Sequence, residues 1–414
     1  VSLTDTLYIG SSGLDAMSTA LGIVGNNVSN ASTIGFKSDT AQFADVLGGE
    51  LGSQPLGSGV TVGQQQEFTQ GSIEQTGNPL DVAISGNGFF VVNGNFDGST
   101  QNFYTRDGQF QLNSSGNLVD SNNLAVQGYS INSSGQRSAA IGDLQLGGLT
   151  DPATATTTAS MQLNLDSATT TNGPFNPANP SGTSDFQTSE TVYDSLGGAH
   201  EVDVYFDQNA AGQWDYHAMV DGGQLQGGTA GTPTQIASGT LAFGTNGQLT
   251  NQTATSSSAS FVGATPNQAI NFDFTGATQD DAASATGTVN VDGNAAGNLT
   301  GITIGSDGTV SAQFDNGQST KVAQLATATF QNNNGLANQG SGLWAQGAQS
   351  GQPAVGVPGA GGRGSVTQGA LEQSNVDLSS QLVTMIQYQQ AFDASSKTVT
   401  TASQMLQTVT QMAT

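Results

Sequence analysis

The chain has no cysteine. That excludes a disulfide framework, a thiolate metal site and a cysteine nucleophile. Cations are scarce: 6 lysines and arginines stand against 31 aspartates and glutamates, a net charge of −25. Such a chain is repelled by nucleic acid and by anionic membrane surfaces, so neither is expected as a partner. No apolar run reaches the length of a membrane span, so no membrane insertion is expected. The first twenty residues hold Asp5 and Asp15, no lysine or arginine and no continuous apolar core. That is not a secretory signal, and an exported chain of this kind would need a route without a cleavable one.

Catalytic signatures are also missing. The chain has two histidines, His200 and His217. HEVDV at His200 lacks the second histidine of the zinc-protease motif. There is no GxSxG elbow and no Walker loop. GAGGRG at Gly359 follows a Pro-Gly loop instead of a strand, which does not suit a dinucleotide. Asp/Asn/Gly clusters such as NVDGNAAGN match no full EF-hand spacing and read better as hairpin turns. No catalytic, cofactor-binding or metal residue is assigned, and no cofactor is expected. Arg106, beside a turn, is expected to be structural, in an ion pair or stacked on Tyr104.

What is present is glycine, 57 residues of it, with Ser, Thr, Asn and Gln. This suits β-rich folds with many tight turns. The two ends differ. Leu3, Leu7, Gly10, Leu14, Met17, Leu21, Val24 and Val28 repeat at helical spacing, and a helix over Leu3 to Val28 would be about 39 Å long. Asn26, Asn27, Ser29, Asn30 and Ser32 then end it. At the other end, Leu382, Met385, Ile386, Phe392, Val399, Ala402, Leu406 and Val409 form a second stripe over Leu378 to Met412. The glycines of the first helix each cost roughly 1 kcal/mol relative to alanine. Neither end is expected to order without a partner surface.

Between the ends the period changes to two. LDVAISGNGFFVV and FYTRDGQFQLNSSGNLV read as strands, with hairpins at Asp107-Gly108 and Ser115-Gly116. Thr/Pro/Ser/Asn-rich loops follow from about Leu144. Strands are then expected at Met161–Leu165, Phe186–Tyr193, His200–Phe206, Trp214–Val220, Thr240–Phe243, Ala269–Phe274 and Gly287–Val291, as an inserted sandwich or flattened barrel. Thr253 to Ala264 is too rich in Ser and Thr to pack a core alone. From Leu299 the earlier style returns, with turns at Asp307-Gly308 and Asn316-Gly317. Ser374 or Asn375 would cap the last helix.

The expected fold is therefore mixed and mainly β, with discontinuous nested domains. The N- and C-terminal α-helices (1–33 with 375–414) form a coiled-coil-like inner domain. An extended linker region (34–75 with 358–374), a split β domain (76–144 with 298–357) and an inserted outer β domain (145–297) complete it.

Several stretches resemble one family. GLDAMSTALGIVGNNVSNASTIGFKS near the start and LEQSNVDLSSQLVTMIQYQQAFDASSKTV near the end are similar to the terminal signatures of the flagellar rod and hook axial proteins. GNPLDVAISGNGFFVV, FYTRDGQF, GNLV and VQGY resemble that family's shared β core. VYDSLGGAHEVDVYF is similar to a segment of the hook's outer domain. Chain length and the AQFADVL stretch favour the hook members over distal-rod members. Gln389-Gln390 departs from the family's usual Gln-Arg, so any ion pair of that arginine is absent.

The resemblance implies a non-enzymatic subunit of the bacterial flagellar hook, a flexible curved tube that passes torque from rod to filament. Its location would be the extracellular flagellum. The implied partners are copies of the chain itself, rod proteins, the hook cap, hook-filament junction proteins, the hook-length control protein and the flagellar export apparatus. A distal rod subunit is the near alternative and a secreted β-rich adhesin the distant one. The expected polymer-forming residues are Leu3, Leu7, Leu14, Met17, Leu21 and Val24 with Leu382, Met385, Ile386, Phe392, Val399 and Leu406. Asn26, Asn27, Gly35, Phe36 and Lys37 would join the helices to the β part.

Overall fold

The computed structural model describes residues 3–46, 59–171 and 173–412. The chain is mainly β with a long helix at each end, and it divides into two units. The first holds both termini and reaches to Gly148, with Gly301–Ala312 and Thr320 onward; the second is Leu149–Thr300 with Gln313–Ser319.

In the first unit, the N-terminal helix Leu3–Ser29 and the C-terminal helix Leu378–Met412 lie antiparallel. Asn27 meets Gln381 at one end of the pair, and Gly10 meets Val399 further along. Gly10 breaks the apolar stripe for a packing reason: a Cβ there would sit 2.6 Å from Val399 Cγ2. Bulk is excluded where the helices approach most closely, so the cost of glycine is offset by contact. The buried face of the first helix is Ala16, Ala20, Ile23, Val24 and Asn27. Ala, Ile, Val and Asn side chains, not the leucines, are the ones that reach the interior.

A β-hairpin follows the first helix, Asp39–Val46 with Gly59–Gln66, registered Asp39↔Gln66. It packs on both helices. Val60 N–H donates to Ser12 Oγ at 3.3 Å, and Phe43 meets Tyr388 edge-on at 5.8 Å. The partner surface each end needs lies within the chain: the two helices pack on each other and on this hairpin. The C-terminal helix is capped by Asp377, whose Oδ1 accepts from the Ser379 and Ser380 N–H groups. Asn375 and Ser374 do not fill that role, because the Asn375 side chain is engaged elsewhere.

The β body of this unit interleaves early and late segments. Phe89–Phe96 pairs with Ser99–Thr105, with Ala125–Ser130 and with Thr327–Thr329, while Leu343–Ala345 pairs with Ser99–Thr105. Phe89, Val91, Tyr104, Ala328 and Trp344 form its aromatic core, with Phe68 and Phe330 packed against them. The turns at Gly116, Gly308 and Gly317 carry positive φ, as hairpin chemistry requires. Asp107-Gly108 does not close a hairpin. Its flanking residues leave the strand, and a Gly108 Cβ would collide with the Val82 backbone.

The second unit is a two-sheet sandwich. One sheet is an antiparallel meander of Phe186–Tyr193, Ala199–Ala210, Gln213–Asp221, Pro233–Phe243 and Leu249–Ala259, ending at Gln268–Ala269. The other sets Thr158–Asn164 between Asn271–Asp273 and Ala285–Val291. Alternate residues Val202, Val204, Phe206 and Trp214, Tyr216, Ala218 face inward onto Met161, Leu163, Phe272 and Phe274. Leu249–Ala259 is a full strand despite its Ser/Thr content, because its pairing along Pro233–Phe243 supplies the hydrogen bonds and Phe261 just beyond it supplies the apolar anchor.

Phe206 is fully buried and meets Phe274 edge-on at 5.4 Å. Phe206→Ala is expected to cost about 3–5 kcal/mol in this unit. Urea unfolding followed by hydrogen exchange should show the loss in strands of the second unit and leave the aromatic core of the first unchanged.

Candidate assembly site: the joint between the chain ends

Glu372 sits at the centre of the place where the two ends meet the β body. It closes the strand Ala370–Glu372, which pairs with Ile73–Gln75, and it is 0% exposed. Its Oε1 accepts from Lys37 Nζ at 2.6 Å and from Gly71 N–H at 2.9 Å; its Oε2 accepts from Arg106 Nη1 at 2.9 Å. Lys37 is also fully buried and donates to Thr69 O at 2.7 Å. Arg106 donates from Nη2 to Gly86 O at 2.8 Å and lies over the Phe89 ring at 5.4 Å. It is thus an ion pair and a stacked cation, on Phe89 instead of Tyr104. Burial pulls the Lys37 pKa down, and the Glu372 carboxylate opposes this. Two cations around one carboxylate, with further hydrogen bonds on each, is the arrangement that makes buried charge tolerable.

The backbone converges on the same point. Gly35 takes φ +67°, and a Cβ there would lie 2.7 Å from Asp107 N and 2.8 Å from Arg106 C. Only glycine fits, and its N–H donates to Glu372 O at 2.7 Å. Half-buried Phe36 accepts at its carbonyl from Asn375 N–H. Asn375 clamps the opposite strand: Oδ1 accepts from Ser38 N–H at 2.7 Å, and Nδ2 donates to Glu67 O at 2.8 Å and Thr69 Oγ1 at 2.9 Å. Asn27 does the same at the end of the first helix. It accepts from Asp39 N–H at 2.9 Å and donates to Asp39 O at 2.7 Å and Gln381 Oε1 at 3.2 Å. Asn26, by contrast, is exposed and holds Asn30.

The apolar positions divide by helix. Leu7, Leu14, Met17 and Leu21 are half-buried and Val24 is buried. The side chain of Leu3 lies outside the described residues. On the C-terminal helix, Met385, Phe392, Val399 and Leu406 are half-buried, whereas Leu382 is 45% and Ile386 54% exposed. Val383, Met405 and Val409 are each more than half exposed as well. A cavity of about 510 Å³ opens between the helices beside Thr6, Thr398, Ala402 and Met405. Glu372, Arg106 and Asn375 were not singled out as site residues from sequence. The available signal was that two of only 6 cations fall inside apolar or turn-rich stretches, where an unpaired charge would be untenable.

These elements build a joint that fixes both ends of a nested, β-rich chain to its body and leaves one helical face uncovered, which defines a structural protein of axial type. Family models match along the chain in succession: "Flagella basal body rod protein" over residues 7–37, "Flagellar hook protein FlgE/F/G D1 domain" over 83–164, "Flagellar basal body protein FlaE D2 domain" over 164–294 and "Flagellar basal body rod FlgEFG protein C-terminal" over 367–412. The chain is 36% identical over 411 residues to the flagellar hook protein FlgE of Salmonella typhimurium, covering 97% of this chain and 98% of that one. It is 36% identical over 416 residues to the FlgE of Escherichia coli, at 97% and 98% coverage. It is 30% identical over 427 residues to that of Rhizobium meliloti, covering 100% of both. The crystal structure of Helicobacter pylori flagellar hook protein FlgE2 shares the fold, with a TM-score of 0.50 at 15% identity over 72% of this chain and 100% of that one. The chain belongs to the flagellar hook protein family. It is a structural subunit of the bacterial flagellar hook.

Glu372→Gln removes the shared counter-charge and leaves Lys37 and Arg106 buried without it. The expected loss is about 3–5 kcal/mol, read by urea denaturation. Replacing Lys37, Arg106 and Glu372 together with well-packed apolar residues should cost less than Glu372→Gln alone.

Proposed function

We propose that the uncovered face of the terminal helix pair is the surface on which neighbouring copies add, building a tubular helical polymer. The observation that carries this is the exposure of Leu382, Val383, Ile386, Met405 and Val409 after the helices have already packed on each other. Single exposed apolar residues are ordinary, but two groups of them on one long helix, Leu382 to Ile386 and Met405 to Val409, call for a partner. Identical subunits meeting through non-closing contacts generate a helical assembly. In this reading the paired ends (1–33 with 375–414) line the inside of the tube and the β units lie outward. Leu3, Leu7, Leu14, Met17, Leu21, Val24, Met385, Phe392, Val399 and Leu406 support the helix pair from within or complete its contact face. Asn27, Gly35, Phe36 and Lys37 transmit load from the helices to the β body.

The role involves no catalysis. The curved tube would couple rod to filament and transmit torque through small sliding movements between copies. Rod proteins, the hook cap, junction proteins, the length-control protein and the export apparatus are the partners this reading implies.

Burying one exposed isoleucine at a contact is worth about 1.5–3 kcal/mol. Ile386→Asp should therefore raise the concentration needed for polymer by roughly tenfold or more, as measured by sedimentation and electron microscopy. Helix content and the thermal transition of the monomer should be unchanged. Polymer formation at the parent threshold would overturn the assignment of this face.

A further inference from the structure

The second unit contains neither lysine nor arginine. His200 and His217 are therefore its only side chains able to carry positive charge, and both are held alike. Each ring lies flat on a phenylalanine: His200 on Phe261 at 3.8 Å and 14°, His217 on Phe175 at 3.9 Å and 2°. Each Nδ1 is 2.9 Å from a glutamine Oε1, that of Gln224 for His200 and of Gln235 for His217. Each Nε2 faces a carboxylate, Asp194 Oδ2 at 2.9 Å and Asp207 Oδ1 at 3.4 Å. With acceptors on both ring nitrogens, the form of His217 that satisfies its site is the doubly protonated imidazolium.

The two clusters differ in what remains when the proton leaves. Asp194 keeps the N–H groups of Leu196 and Gly198 on its Oδ1, at 2.8 and 2.9 Å. Asp207 Oδ1 and Asp215 Oδ1 are buried with no hydrogen-bond partner. They depend on the charge of His217. The groups facing that ring are Tyr205 and Asp207 on Ala199–Ala210, Asp215 on its own strand, the neutral Gln235 and Ser238 on Pro233–Phe243, and Phe175 above. Between residues 173 and 183 the chain stands off the sheet over a cavity of about 500 Å³ lined by Pro174, Phe175, Asp207, Asn209 and Asp215. The hydrogen bonds of Asn176, Gly182 and Thr183 stay within the segment, so it is held to the sheet by side-chain packing, at the buried Pro180 and, over His217, at Phe175.

We propose that His217 is a charge-operated clasp: protonated, it holds Phe175 and the 173–183 segment against the outer sheet, and deprotonated, it lets that segment go. Burial alone would lower the His217 pKa. The Asp207 carboxylate facing Nε2 at 3.4 Å, the hydrogen bond with Gln235 and the charge of Asp215 outweigh it, and the net shift is upward from 6.5. A pKa raised in the folded state adds stability that is complete below the unfolded value and is lost as pH climbs through the folded one. The segment is thus fastened on the acid side and freed on the alkaline side.

Hydrogen exchange of the full chain across about pH 5–9, corrected for intrinsic rates, reads the clasp directly. Protection of 173–183 should fall severalfold as pH climbs through the His217 pKa, while the strand Gln213–Asp221 keeps its own protection. NMR titration of the imidazoles should place His217 above its ordinary value, and Asp207→Asn should bring it down. His217→Gln should leave the segment open at every pH. Should that variant fail to fold, Phe175→Ala gives the same open segment while leaving the ring's polar partners in place. Protection of the segment that does not change with pH, or that survives Phe175→Ala, overturns the proposal.

Discussion

A single carboxylate, Glu372, holds the architecture together. It lies in the late part of the chain, yet its partners Lys37, Gly71 and Arg106 all come from the early part. Taking three charges out of water is expensive, and the cost is met only if every one of them finds its partner at once. The arrangement is therefore all-or-none. Either both ends of the chain arrive together or a bare charge stays buried. This couples the closure of the terminal helices to the completion of the β body.

That coupling gives the helices a defined exit direction. Asn27 and Asn375 replace turns of loop with side-chain clamps on backbone groups, and Gly35 lets the chain pass Arg106 at a distance that no other residue allows. A rod-like element carrying load needs a stiff root, and hydrogen bonds to backbone at both ends of a short connection provide one. Further out, the helix pair is held by small residues packed closely, with Gly10 against Val399, while larger apolar side chains point away. The division of labour follows from size: small side chains bring backbones together within a chain, and large ones hold the area that a second molecule can cover.

The second unit obeys a different electrostatic rule. Lacking lysine and arginine, it cannot balance its carboxylates by ordinary ion pairs. It satisfies several of them with backbone N–H groups in turns, as at Asp194, Asp221 and Asp292. Asp207 Oδ1 and Asp215 Oδ1 are buried without such a donor among the described residues, and the imidazole of His217 stands beside them. His217 joins the shifted carboxylates Asp194 and Asp292 in tying this unit's stability to proton concentration, and the first unit holds no histidine.

Sequence alone determined the elements whose cause is local. The long helix over Leu378–Met412, the strand Phe186–Tyr193 and the turns at Gly116, Gly308 and Gly317 follow from periodicity and from residues that tolerate positive φ. Membership of the axial family was legible in the terminal motifs for the same reason. Tertiary structure decided everything that depends on which distant residues meet. It placed Ala16 and Ala20 inside and the leucines at half depth, turned Gly10 from a defect into a contact, and moved the helix cap to Asp377. Above all it joined Lys37 and Arg106 through Glu372, because a buried charge is stable only in a geometry that spacing along the chain does not encode.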